Sequence, residues 1–200
     1  MIKNILFDFG DIFINLDKPS LHNALQSLGI EDWNSRLNLL NESFEKDECS
    51  EEFFLSGIQK HTSNKNLDEI KTSWCTILAD FPIARLEFLE QISPNYRVFL
   101  LSNTDAVHIA HFKKTVGPEF YKRFFNCFEK VYFSFEMGLR KPQPDIYAQV
   151  LIENNLIAEE TLFVDDKKEN TDAAEKLGIH VWNLQVGQEE VTDLFQKIKF

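Results

Sequence analysis

The chain has little positive charge, little cysteine and no long apolar run. Lysine and arginine together number 21 against 32 aspartates and glutamates, a formal charge of -11. Such a balance argues against nucleic acid or an anionic membrane surface as partner. Cys49, Cys75 and Cys127 are odd in number, scattered, and never in CxxC spacing. Neither a disulfide framework nor a cysteine metal knuckle is expected, and reduced thiols in a cytoplasmic protein are the plain reading. No apolar stretch approaches the ~20 residues of a membrane helix, and the first strand opens without a leader in front of it. Repeats and low-complexity segments are absent.

What is present is an alternation of short apolar runs with helical patterns. Runs at 4–9, 97–101, 130–133, 161–164 and 180–184 read as buried strands. Helical patterns at 145–154, 170–177 and 189–198 fall between or after them. The fold class is therefore α/β: a Rossmann-like parallel sheet flanked by helices. The segment from 16 to about 90 shows no strand, only helical patterns at 21–28, 51–60, 67–78 and 82–92, with Ser50 as an N-cap and Pro82 as a first helical residue. We expect a core of 1–15 and 90–200 and a small helical cap, 16–89, inserted after the first strand and lying over the carboxyl ends of the sheet. The 19 phenylalanines suggest a well-filled core.

Four strand ends, or loops just beyond them, carry complementary groups. Asp8 follows the first strand, where a rigid element presents a nucleophile to an open loop. Ser102-Asn103-Thr104 ends the second, with small polar groups suited to phosphate oxygens. Lys141 lies after the third, near a solvent-filled cleft, and Asp165-Asp166 ends the fourth. A phosphate dianion with Asp8 and the acidic pair totals about -5, which a Mg²⁺ ion and one lysine bring to about -2. Each group alone is an ordinary turn residue or surface lysine; the set of four, in order, is not.

At these residues the chain resembles the haloacid dehalogenase-like hydrolases. LFDFG at Asp8, SNT at Ser102, GLRKP at Lys141 and FVDD at Asp165 match that superfamily's four motifs. SNTDAVH, GLRKPQPDIY and DDKKENTDAA resemble, more narrowly, a bacterial branch with α-glucose 1-phosphate phosphatases. The resemblance implies Mg²⁺ and an aspartyl-phosphate intermediate. Asp8 is then nucleophile and metal ligand, and Gly10 a ligand through its carbonyl. Asp165 ligates directly, Asp166 directly or through water. Ser102 and Asn103 hold the phosphoryl group, Lys141 pairs with phosphate and Asp8, and Asn170 orients the acidic loop. Gly10 departs from the wider pattern, which has a second aspartate there as general acid. Asp11, one step along, is expected to point elsewhere.

Several aromatic and ionisable groups are left. His108 and His111 share a helix face near the phosphate loop, with surface or helix-end roles expected. Trp74, Phe53 and Phe54 either line a sugar pocket or pack the cap. Glu42, Glu45 and Glu48 read as a solvated helix face, and Cys75 as a small buried apolar residue. The leading function is a phosphatase of a small phosphorylated metabolite, in particular a sugar 1-phosphate. Alternatives are a metal-independent 2-haloacid dehalogenase and a low-turnover regulatory or binding protein. The residues leave the substrate and the oligomeric state open.

Overall fold

The computed structural model describes residues 1–198. Five strands form one parallel sheet: β1 (Asn4–Phe7), β2 (Arg97–Ser102), β3 (Lys130–Phe133), β4 (Thr161–Asp165) and β5 (His180–Asn183). Their order is β3-β2-β1-β4-β5. All five expected strands are present, within two residues of their expected ends. Strand β1 is central, flanked by β2 and β4, so the chain order reverses beside it. The carboxyl ends at such a reversal leave a crevice where ligands bind.

Side chains alternate across the sheet as the two-residue period requires. Ile5, Phe7, Val98, Leu100, Leu162 and Val164 face one buried cluster, which Phe9, Phe13, Phe112, Phe124 and Phe128 fill. Leu6, Phe99, Leu101 and Phe163 face a second cluster with Ile146, Tyr147 and Val150. The phenylalanines are thus concentrated on one face. Phe124 alone meets the rings of Phe9, Phe13, Phe81, Phe112, Phe125 and Phe128 within 6.3 Å.

Helices α1 (Lys18–Ser27), α2 (Ser35–Phe44), α3 (Glu51–Gln59) and α4 (Leu67–Trp74) lie between β1 and β2. Asp17, Asn34, Ser50 and Asn66 cap them, each accepting a main-chain N–H of the first turn. Leu25, Leu37, Phe44, Phe54, Ile58, Ile70 and Trp74 form a core of their own. The expected helix at 67–78 ends at Trp74 and tightens into a 3₁₀ turn over Cys75–Ile77. Helix α2 had no expected range, only a helix face at Glu42, Glu45 and Glu48; its apolar residues Leu37, Leu39, Leu40 and Phe44 are interspersed with polar ones. The two connections of this insert run side by side: Asn15 N–H reaches Asp80 O at 2.9 Å, and Asp17 N–H reaches Ile77 O at 2.8 Å.

Helix α5 (Ile83–Ile92) differs from expectation in its company. Leu86, Phe88, Leu89 and Ile92 join the sheet's phenylalanine cluster rather than the insert's core. Pro82 stands one place before the helix, as its cap residue. The remaining helices are α6 (Ala106–Phe125), α7 (Ser134–Met137), α8 (Pro144–Glu153), α9 (Lys168–Glu175) and α10 (Leu194–Lys197). The expected last helix, 189–198, is shorter: a 3₁₀ turn at Val191–Asp193 precedes the single turn of α10. Helix α6 breaks at Gly117 (φ 78°, ψ 162°) just before Pro118, which removes one main-chain donor.

Phe124→Ala removes a fully buried ring from the centre of this cluster. We expect a loss of about 3–5 kcal/mol, seen as a lower urea midpoint at unchanged slope. A midpoint near that of the parent protein would show that the cluster does not support the sheet.

Candidate active site

Asp8 stands one residue beyond β1, and its N–H extends the ladder to Val164 O at 2.9 Å. Asp165 is the last residue of the adjacent strand β4. Between their carboxylates lies the ammonium of Lys141. Its Nζ donates to Asp8 Oδ1, Asp165 Oδ2 and Leu101 O, each at 2.7 Å, using all three of its donors. Lys141 is only 1% exposed and Asp165 0%. The lysine was expected beside a solvent-filled cleft; it is instead buried at the junction of three strand ends. Burial alone would lower its pKa, but the carboxylates of Asp165 and Asp8 outweigh that and hold it raised. Asp8 is pushed up to about 7, by burial first and by Asp165 and Asp166 in addition, while Lys141 opposes the shift.

Asp165 is saturated by the chain. Its Oδ1 accepts Lys167 N–H at 2.8 Å, and Asn170 Nδ2 reaches both oxygens at 3.0 Å. Tyr147, buried beneath, donates its hydroxyl to Asn170 O at 2.9 Å. Asp166 is different: no donor among the described residues reaches its carboxylate. Burial, Asp165 and Asp11 raise its pKa. One carboxylate oxygen from each of Asp8, Asp165 and Asp166 lies within 4.8 Å of the others. Three hard anionic oxygens so placed suit a divalent cation of the Mg²⁺ type. The Gly10 carbonyl, another hard oxygen, accepts no hydrogen bond among the described residues.

The loop after β2 is held from two sides. Asn103 donates Nδ2 to Lys141 O at 2.8 Å and accepts Lys141 N–H on Oδ1 at 2.9 Å. That reciprocal pair fixes the lysine's backbone, so the Asn103 side chain serves Lys141. The Ser134 hydroxyl accepts Thr104 N–H and donates to Thr104 O, both at 3.0 Å. The Ser102 hydroxyl makes no such bond and lines a cavity of about 220 Å³ together with Gly10, Leu16, Asn41, Glu45, Trp74, His108 and Lys167. Asp11 adopts a left-handed conformation (φ 57°). Its carboxylate accepts Leu16 N–H and Lys18 Nζ, each at 2.9 Å. These bonds tie the Asp11 carboxylate to the insert's first connection.

The structure brings Asp8, Lys141, Asp165, Asp166 and Asn170 together and places Ser102 and Gly10 on the adjoining cavity. Sequence reasoning missed Tyr147 and Ser134, whose partners are distant in the chain. It also missed Lys167, exposed on the cavity's rim and in no ion pair among the described residues; the Lys-Lys of DDKKEN was its only signal. Glu45 is no solvated residue: its Oε2 pairs with Arg140 Nη2 at 2.9 Å, and Glu42 approaches the same guanidinium at 3.4 Å. Phe54 is fully buried in the insert's core, Phe53 is exposed and Cys75 is buried.

Asp105 caps α6 and joins it to α4. It accepts His108 N–H at 2.8 Å and Trp74 Nε1–H at 3.0 Å, and pairs with His108 Nδ1 at 2.9 Å. His108 Nε2 faces Trp74 O at 3.1 Å. Both ring nitrogens therefore meet acceptors, which is the pattern of an imidazolium. Burial opposes that charge, but Asp105, the Trp74 carbonyl and Glu45 raise the pKa of His108.

Comparison with known proteins agrees with this geometry. The sequence profile of haloacid dehalogenase-like hydrolases matches residues 2–178. A D-ribitol-5-phosphate phosphatase of Bacteroides thetaiotaomicron is 28% identical over 196 residues, 94% of each chain. A solved structure of a family enzyme from the same organism, in complex with magnesium and inorganic phosphate, superposes with a TM-score of 0.82 at 30% identity, covering 94% of this chain and 97% of that one. A 2-haloacid dehalogenase from Pseudomonas syringae pv. Tomato superposes at 0.59 with 14% identity, over 98% and 97%, a likeness of fold alone.

Lys141→Ala leaves two buried carboxylates without their cation. We expect a stability loss of about 3–5 kcal/mol in metal-free buffer, smaller when Mg²⁺ is added, by urea titration in each condition. An unchanged midpoint would contradict the buried ion triad. For His108, the folded pKa lies above the unfolded one. Its stabilisation is therefore complete below about pH 6.5 and lost as pH rises through the raised value. The stability gap between the parent and His108→Gln should be wide at about pH 6 and narrow at about pH 9. A gap that widens with pH would reverse the assignment.

Proposed function

The chain belongs to the haloacid dehalogenase-like hydrolases, and on that premise we propose that it is a Mg²⁺-dependent phosphatase of a small polyhydroxylated phosphate ester. The observation that carries this reading is the buried Lys141 joining Asp8 to Asp165, with the free carboxylate of Asp166 beside them. The magnesium and phosphate complex of the similar Bacteroides enzyme supports it, as does the ribitol 5-phosphate substrate of the named relative.

In this reading Asp8 attacks phosphorus. A bond forms between its carboxylate oxygen and phosphorus, the ester P–O bond breaks, and the leaving oxygen takes a proton as the alcohol departs. Water then hydrolyses the aspartyl phosphate, releasing inorganic phosphate and restoring Asp8. Asp8, Asp166 and the Gly10 carbonyl would hold the metal. Asp165 either joins them or acts through its bonds to Lys141 and Asn170, which fix its orientation. The ion, when bound, supplies charge neutralisation for the phosphoryl oxygens. Lys141 adds a fixed positive charge beside Asp8, and Ser102 and the main chain of the loop after β2 would bind those oxygens. Asn103 acts by holding Lys141. The rim cation Lys167 draws a phosphate ester toward an otherwise acidic protein. Within the expected cap, 16–89, helices α1–α4 act as the cap, and α5 packs against the sheet.

Gly10 supplies no acid to the leaving oxygen. A positioned general acid contributes typically ~10²–10⁴-fold, most for poor leaving groups. Among pyranose phosphates the chemical step should therefore favour a sugar 1-phosphate, whose anomeric alcohol is the stronger acid, over a 6-phosphate. Higher kcat for glucose 6-phosphate than for glucose 1-phosphate would show that another group donates the proton.

Asp8→Asn should lower phosphate release by orders of magnitude while keeping the fold, because an amide does not attack phosphorus. Chelator should abolish turnover by the parent protein and Mg²⁺ restore it. Near-parental kcat in Asp8→Asn would refute the covalent route. Full hydrolysis in excess chelator would refute the metal requirement, and chloride release from a 2-haloacid would favour the dehalogenase chemistry instead.

A further inference from the structure

The acidic turn between β4 and α9 holds its two carboxylates by different means. Asp165 is gripped by Lys141, Asn170 and the Lys167 N–H, so its side chain has one direction. Asp166 has no such grip. No donor among the described residues reaches its carboxylate, and Asp165 and Asp11 stand close enough to repel it. Charge alone would swing it toward solvent, away from the other acids. Yet one oxygen from each of Asp8, Asp165 and Asp166 lies within 4.8 Å of the others. Side-chain bonds do not put Asp166 there, so its main chain must.

A side chain leaves its Cα in a direction set by the two peptide groups on either side. For Asp166 these carry the carbonyls of Asp165 and of Asp166 itself. Both accept from one amide, that of Asn183 at the end of β5. Its Nδ2 reaches Asp166 O at 2.8 Å and Asp165 O at 3.3 Å, which uses both amide hydrogens. The amide is itself oriented: Gln185 Nε2 donates to Asn183 Oδ1 and to Asn183 O, each at 2.9 Å. The reverse orientation would set the amide oxygen against two carbonyls and its nitrogen against another donor. Asn183 stands opposite Asp165 in the strand register, and Leu184 N–H closes the ladder on Asp165 O at 3.1 Å. The clamp is thus built on the sheet, where positions are held more rigidly than on a loop.

Resting on the phosphatase reading, in which Asp166 holds the metal, we propose that Asn183 is a positioning residue for Mg²⁺: it clamps both peptide groups around Asp166 and so keeps the unpartnered carboxylate facing Asp8 and Asp165. Asn183 acts through the main chain of Asp166 and not on the reacting atoms. Its effect falls on affinity for the cation, because a ligand already held in place needs no ordering when the cation arrives.

Calorimetric titration of the metal-free protein with MgCl₂ reads this directly, with urea midpoints in metal-free buffer as the measure of folding. Asn183→Ala should weaken Mg²⁺ binding about tenfold, the scale typical of groups that orient metal ligands. Asn183→Asp keeps the shape but replaces the donor by a carboxylate. Its added negative charge would by itself tighten cation binding, whereas loss of the clamp weakens it. We expect weakening, and this variant serves if the alanine protein fails to fold. Phosphate release by either variant should recover to within about threefold of the parent kcat once Mg²⁺ is saturating, since the reacting groups are unchanged. Unchanged affinity with a lowered urea midpoint would make Asn183 a support of the fold only and overturn the proposal. Tighter binding by Asn183→Asp, or a lost kcat that excess Mg²⁺ does not restore, would overturn it too. The phosphatase reading fails separately. Mg²⁺ binding that depends on Asn183, in a protein that releases no phosphate, would refute that reading and keep the clamp. Mg²⁺-dependent release with an affinity indifferent to Asn183 would do the reverse.

Discussion

The ammonium of Lys141 is the constraint on which the rest of the site depends. Two carboxylates end adjacent parallel strands, and without a cation between them their repulsion and their burial would both oppose folding. Lys141 answers with a bond to each and a third to Leu101 O, so one side chain ties β1, β4 and β2 at their carboxyl ends. Its own backbone is held in turn by the Asn103 amide. The arrangement is preorganised: the charges face each other in the folded chain, and no side chain need travel to assemble them.

That preorganisation explains how an acidic protein can present a phosphate site. The net charge of -11 is spread over the whole chain, but inside the site the cation is fixed and desolvated, where its field is least screened. Farther out, Lys167 stands on the rim. His108 stands in the cavity wall beside Asp105, whose carboxylate raises its pKa. Lys167 and His108 line the cavity, and Lys141 is buried beside Asp8.

The strands and the four motif positions were legible in the sequence, because buried parallel strands are continuous apolar runs and their ends are marked by polar residues at fixed places. Asp8, Lys141 and Asp165 lie together as their positions at strand ends suggest. The long-range partners were not legible. Ser134 with Thr104, Tyr147 with Asn170, and Arg140 with Glu45 are pairs whose meeting depends on the packing of whole elements. The sequence also overstated the exposure of Lys141, since a lysine beside a proline in a loop reads as solvated until the carboxylates around it are placed. Helix α5 was drawn into the insert for a similar reason: its periodicity is helical in either location, and only its phenylalanine-rich neighbours assign it to the sheet.

The glycine at position 10 links chemistry to the insert. A Cβ there would sit 2.8 Å from Leu16 Cδ1, so the space beside Gly10 is filled by a leucine of the insert's first connection. Leu16 in turn pairs with Leu78 across the two connections, and its N–H is held by Asp11. A side chain at 10 would therefore require the Leu16 methyl to shift, so the loop that carries Gly10 and the insert's first connection are packed against each other.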